Sequence, residues 1–269
     1  MNADRHLSVP GARLRYRDAG VGAALVFVHG WTLDLGMWEP QAALAADFRV
    51  LRYDRRGFGL STGQPSLADD VADLRAVLTT LGVVSPLLVG MSQGARVVLE
   101  FAARHPGVAR GLVLDGPPPF AEADALAVDG DLPMAAFRET AQRSGLPAFR
   151  AVWKAHPFTR LTTSDAQTHA LLADILARYP GHDLTGPAAP QREYLDESHL
   201  GGIHAPALII NGAFDVGGRR AAGRRLQSLL RDSGLALVDD AAHLPNLDAP
   251  GAYNDLISEF ACRLMSAAA

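Results

Sequence analysis

Four short and almost wholly apolar runs recur along the chain: Ala24–Val28 (ALVFV), Pro86–Val89 (PLLV), Gly111–Asp115 (GLVLD) and Pro206–Ile210 (PALII). Continuous apolarity, as opposed to alternation, is what a strand needs when both of its faces are covered, as in a parallel sheet flanked by helices. Residues 48–53 (FRVLRY) and 235–239 (LALVD) fit as further strands. Residues 12–18 (ARLRYRD) alternate polar and apolar and fit an edge strand with one wet face. Helices are expected over 66–82, 93–104, 219–231 and 249–265. The first opens on Ser66 as a cap and sets Leu67, Val71, Leu74 and Leu78 along one face. Parallel strands need long crossovers, so strands alternating with helices imply an α/β fold with right-handed connections.

This rhythm breaks between residues 116 and 200. The stretch opens on Gly116-Pro117-Pro118-Pro119 and carries Phe120, Phe137, Phe149, Trp153, Phe158, Tyr179 and Tyr194, with helical pieces but no convincing strand. The α/β pattern resumes at Ala205, which favours an inserted segment over an independent second domain. The expected organisation is a core of 1–115 and 201–269 with a helical cap, 116–200, inserted between two strands. At 269 residues such a chain buries enough apolar surface to need no covalent staples.

Composition removes several function classes. A formal net charge of −4, with basic residues dispersed, leaves no footprint for nucleic acid or an anionic membrane. No apolar run approaches the length of a membrane span, and the polar start MNADRHLSVP lacks a secretory apolar core, so a soluble, cytoplasmic protein is expected. Cys262 stands alone, which excludes an intramolecular disulfide; within an apolar stretch it reads as a buried core residue. Without H-E-x-x-H or a cysteine pair, neither a metal nor another cofactor is expected. Gly20-Val21-Gly22 precedes a strand and reads as a hairpin turn, not a dinucleotide loop. The pairs Arg219-Arg220 and Arg224-Arg225 read as a solvated helix face.

The chemistry concentrates in Gly90-Met91-Ser92-Gln93-Gly94, which follows an expected strand and opens an expected helix. In that setting G-x-S-x-G forms a sharp turn that strains the serine backbone, and glycine at both flanks leaves room for it. The turn lifts the Ser92 hydroxyl above the carboxyl edge of the sheet, where α/β folds bind ligands. A serine hydroxyl needs an adjacent base. Of nine histidines, His243 is best placed, on a loop after the strand 235–239 and therefore at that same edge. His204 precedes a strand and belongs at the opposite edge. An acid must orient the imidazole. Asp215, after the strand 206–210, satisfies the chain order Ser92, Asp215, His243; Asp115, ending its own strand, is the alternative. Donors for an oxyanion are expected from the backbone N–H of Gln93 and of Trp31, in the His29-Gly30-Trp31-Thr32 turn.

FVHGW, YDRRGFGLS (53–61), GMSQG, NGAFD and AAHLPNLDAP resemble the α/β-hydrolase superfamily across essentially the whole chain, and most of all its cofactor-free esterases, enol-lactonases and perhydrolases (non-haem haloperoxidases). The resemblance implies the same catalytic set: Ser92, Asp215 and His243, with Trp31 and Gln93 as oxyanion donors. It gives Asp54, Arg55 and Arg56 a structural role. Serine in place of aspartate at position 92 argues against haloalkane dehalogenases and epoxide hydrolases. Lys154, the only lysine, lies in the cap, which disfavours lyases that pair a lysine with the triad. The expected activity is hydrolysis of a small ester or lactone. Carbon–carbon bond hydrolase, perhydrolase and non-catalytic small-molecule receptor are the alternatives. Met91, Phe137, Trp153, Phe158 and Leu244 are the expected pocket residues.

Overall fold

The computed structural model describes residues 3–119, 132–186 and 197–266. Eight strands form one sheet: β1 Arg5–Val9, β2 Ala12–Ala19, β3 Ala24–Val28, β4 Arg49–Tyr53, β5 Leu87–Met91, β6 Gly111–Asp115, β7 Ala207–Gly212 and β8 Ser233–Val238. Their order is β1-β2-β4-β3-β5-β6-β7-β8. β1 and β2 run antiparallel to their neighbours, and every pairing from β4 through β3 to β8 is parallel. This is the α/β-hydrolase fold, a mostly parallel sheet flanked by helices.

The apolar runs take the central places. β3, β5 and β6 are buried at every residue, while β8, at the edge, is buried only at Val238. Because successive side chains face opposite sides, β3 feeds both layers. Val26 and Val28 pack with Val71, Leu74, Val98 and Phe101 of α1 (Leu67–Thr80) and α2 (Gln93–Arg104). Leu25 and Phe27 join Trp38, Tyr253, Ile257 and Phe260 on the other face, toward the C-terminal helix Pro250–Ser266. Each such side chain contributes roughly 1.5–3 kcal/mol on burial. The Ser66 hydroxyl caps α1 by accepting from the Asp69 N–H at 3.3 Å.

Four expectations are corrected. First, the edge strand is not 12–18 but β1, whose pattern RHLSV is too short to read alone. It pairs Val9 with Ala12 across a two-residue Pro10-Gly11 turn, with Gly11 at φ +75°. Second, Gly20–Gly22 is not a hairpin turn, because β4 lies between β2 and β3. Gly20 is needed there because a Cβ would sit 2.1 Å from the Phe48 carbonyl oxygen. Third, Cys262 is exposed: the helix buries Tyr253, Ile257, Phe260 and Ala261, and the next residue has rotated out of that face. Fourth, Arg219 is buried, with its guanidinium 4.8 Å from the centroid of the Phe158 ring; Arg224 and Arg225 are exposed as expected.

Between β6 and β7 the described residues contain no strand. They form α3 (Met134–Lys154), kinked at Gly145 (φ +83°) just before Pro147, then α4 (Ala166–Arg178) and the short helix His182–Thr185. Phe137, Phe149, Trp153, Phe158, Ile175 and Tyr179 of this segment join the core cluster that contains Trp31 and Met91. Phe120 and Tyr194 lie outside the described residues. After β7 comes α5 (Gly217–Leu229), and Pro250–Ser266 is α6.

Candidate active site

Parallel strands end together, so the loops after β3, β5, β6, β7 and β8 gather at one edge of the sheet. Ser92, between β5 and α2, has φ +53° and ψ −114°, a conformation costing about 1–3 kcal/mol that the surroundings must enforce. The enforcement is close approach. A Cβ on Gly90 would lie 2.4 Å from the Gly94 carbonyl oxygen, and one on Gly94 would lie 2.1 Å from that of Val28. The Ser92 N–H also donates to the Asp115 carbonyl at 2.7 Å.

His243 follows β8 on the loop that begins at Asp239, and its Nδ1 lies 3.0 Å from both carboxylate oxygens of Asp215, so Nδ1–H donates there and Nε2 is left for another partner. The Val216 N–H holds Asp215 Oδ1 at 2.7 Å. Both side chains are almost fully buried. Gly116 presses on the imidazole, since a Cβ there would meet His243 Cε1 at 2.9 Å. Asp115 is not the imidazole's partner. Its Oδ2 accepts from the Tyr253 hydroxyl at 3.2 Å, and burial, then the charge of Asp215, raises its pKa well above the carboxylate range.

Ser92 and His243 face one cavity. The Ser92 hydroxyl makes no hydrogen bond among the described residues, and such contacts often close only when a ligand arrives. Met91, Trp153, Phe158 and Leu244 line this cavity, as do Trp31, Thr32 and Thr159. Phe137 is displaced from its expected place: it is not part of the lining but stands behind it, stacked on Trp31 at a centroid distance of 6.0 Å. The Phe158 ring lies 4.4 Å from the imidazole of His243.

Gln93 opens α2, so its N–H has no intrahelical acceptor. The Trp31 N–H makes no hydrogen bond among the described residues. The turn that carries Trp31 is set by His29. Its Nδ1–H donates to the Gly30 carbonyl at 2.8 Å and its Nε2 accepts the Arg55 N–H at 2.9 Å. Complete burial, then the charge of Arg55, holds His29 well below the usual imidazole range, hence neutral.

Sequence reasoning gave Arg55 a structural role without its partners, and missed Thr32 and Asp183. Arg55 pairs with the buried Asp70 and donates to Gln93 Oε1 at 2.7 Å, tying the DRRGFG loop to the residue after Ser92. Thr32 has φ +63° and accepts from the Trp153 indole at 2.7 Å. Asp183 binds the Trp31 indole from 152 positions away. For Arg55 the signal was its charge beside a motif; for the other two none existed, because contacts at that separation are set by tertiary packing.

Among the described residues, no group of three or more His, Cys, Asp or Glu is arranged to hold a metal, and no helix is long and apolar enough to cross a membrane.

A chain with this sheet, a strained serine at the β5–α2 turn and a buried His–Asp pair at the same edge has the form of an α/β hydrolase, and the α/β-hydrolase fold family matches residues 23–250; the chain belongs to that family. It is 30% identical to a non-heme chloroperoxidase of Streptomyces lividans over 225 residues, 76% of this chain and 79% of that protein. It is 37% identical to a putative non-heme chloroperoxidase of Synechocystis over 113 residues, 39% of this chain; that match spans about two-fifths (41%) of the relative's length. Among solved structures, the enol-lactonase of Burkholderia xenovorans LB400 superposes with a TM-score of 0.78 at 25% identity, covering 96% of this chain and 100% of that one.

Proposed function

We propose that this hydrolase cleaves small, uncharged carboxylic esters or lactones through an acyl-enzyme on Ser92. The observation that carries the reading is the buried His243–Asp215 pair opening onto the same cavity as the strained Ser92. His243 Nε2 takes the Ser92 proton as Oγ attacks the carbonyl carbon, and Asp215 stabilises the imidazolium. The backbone N–H groups of Trp31 and Gln93 hold the oxyanion, each such donor being worth about 10²–10³ in rate. His243 returns the proton to the leaving alkoxide. Water, deprotonated by the same imidazole, then attacks the acyl-enzyme and releases the acid. Residues 132–186 act as a cap over the cavity, to which they contribute Leu132, Trp153, Phe158 and Thr159.

The limit to uncharged substrates follows from the lining. Among the described residues, no lysine or arginine lines the cavity. Its two threonine hydroxyls are already engaged: Thr32 Oγ1 donates to the Trp31 carbonyl at 2.6 Å, and Thr159 Oγ1 donates to the Trp153 carbonyl at 2.6 Å. A substrate is therefore held by its reacting carbonyl and by apolar contact. A second reading, perhydrolysis, draws on the relatives named chloroperoxidase: hydrogen peroxide replacing water in the second step would yield a peracid.

The test is turnover of a matched panel of p-nitrophenyl esters and lactones by the wild type and by Ser92→Ala. Turnover that vanishes in the variant supports the reading, and turnover that survives overturns it. Saturable binding without turnover by folded wild type would move the assignment to a receptor.

A further inference from the structure

Three of four successive residues in the turn after β3 are held by side chains of the cap. The Trp31 indole N–H donates to Asp183 Oδ2 at 2.5 Å. Thr32 Oγ1 accepts from the Trp153 indole at 2.7 Å. Asp34 Oδ2 accepts from Arg178 Nη2 at 2.9 Å and Nε at 3.1 Å. The Trp31 ring is enclosed by four cap rings, Phe137, Phe149, Trp153 and Tyr179, at centroid distances of 4.8–6.2 Å. Asp183 is itself fixed, its other carboxylate oxygen accepting from the Tyr179 hydroxyl and its carbonyl from Arg138 Nη2 at 2.6 Å. Within the turn, Thr32 sits at φ +63°, a conformation a β-branched residue adopts only under constraint.

We propose that Asp183 is a positioning residue for catalysis: through the Trp31 indole it fixes the backbone N–H of Trp31 against the oxyanion, so that the oxyanion site exists only while the cap is seated. This rests on the acyl-transfer reading above. The physical basis is that a donor is effective only when pre-aimed at the developing charge, and an error of about 1 Å can cost on the order of 10² in rate. In the docked state the cap supplies the side-chain anchors that keep Trp31 and Thr32 in place.

Three proteins distinguish this from a merely structural contact: wild type, Asp183→Asn, which keeps an acceptor oxygen, and Asp183→Leu, which removes it. On p-nitrophenyl acetate, Asp183→Leu is expected to lose tenfold to a hundredfold in kcat with KM within about threefold, and Asp183→Asn to recover most of it. Affinity for phenylboronic acid, which forms a tetrahedral adduct on the serine, should fall by a similar factor. Hydrogen exchange across residues 29–35 should accelerate in Asp183→Leu while β5 stays protected. Unchanged kcat alongside faster exchange in the turn would overturn the positioning role, and unchanged exchange would overturn the anchoring itself. Ser92→Ala run in parallel separates either result from a failure of the acyl-enzyme reading, which would appear as activity surviving that variant.

Discussion

The backbone carbonyl of Asp115 accepts the amide of Ser92 at 2.7 Å, while the Asp115 carboxyl, wholly buried, has one oxygen on Tyr253 and the other without a hydrogen-bond partner among the described residues. The main chain of Asp115 thus braces the strained turn, and its side chain carries an electrostatic cost. Burial and the neighbouring Asp215 raise the native pKa above the ordinary value of 3.8, so the native state holds this proton more tightly than the unfolded chain does. The stability from that proton is fully present below about pH 4 and is lost as pH rises through the native pKa, by up to about 1.4 kcal/mol per pH unit. Asp115→Asn keeps the shape and removes the titration. Urea unfolding from pH 5 to 9 should therefore show the variant gaining on wild type as pH rises. A difference constant with pH would contradict it.

Gly116 tests how tightly the imidazole is placed. A methyl group there, 2.9 Å from His243 Cε1 and at a backbone φ of +49°, must push the ring from its position. Gly116→Ala should lose about a hundredfold in kcat, the scale expected of a misplacement of about 1 Å. Circular dichroism should stay native. Full activity would mean that the ring has room to retreat.

How much was legible from the chain depended on how local each cause was. β3, β5 and β6 could be read because burial on both faces demands continuous apolarity, and GMSQG could be read because its strain has one steric solution. β1 was missed because five residues, two of them charged or imidazole, leave too little pattern. Cys262 was misplaced because one residue of helix rotation separates core from solvent, and that phase cannot be read from apolar content alone. Arg219 was misread because an arginine in one of two Arg-Arg pairs looks solvated until Phe158, some sixty positions earlier, is packed beneath it. The contacts of Trp31, Thr32 and Asp34 with Asp183, Trp153 and Arg178 belong to the same class: their partners are named by tertiary packing.

The Arg55–Asp70 pair should matter to the fold and to the site together. Both side chains are almost wholly buried, and Arg55 also holds Gln93. Asp70→Asn leaves a buried cation without its carboxylate, which costs about 3–5 kcal/mol. For a chain of this size the expected fall in Tm is on the order of 10 °C, measured by calorimetry. The paired replacement Arg55→Met with Asp70→Leu should recover much of that loss while still lowering kcat, because Gln93 is released.

The uncharged lining predicts a sharp preference. p-Nitrophenyl acetate should exceed mono-p-nitrophenyl succinate in kcat/KM by a hundredfold or more, since the succinate carboxylate would be buried without a partner among the lining residues. Comparable rates would require a cation at the cavity that the described lining does not contain.

The most direct test of the central claim is to mix the enzyme with p-nitrophenyl acetate, quench in acid within the first turnover and map the acetylated peptide by mass spectrometry. The account predicts one acetyl group on Ser92, absent from Ser92→Ala and depleted in His243→Ala because the serine has lost its base. Steady turnover by wild type with no acetylated Ser92, or with the label on another residue, would contradict it.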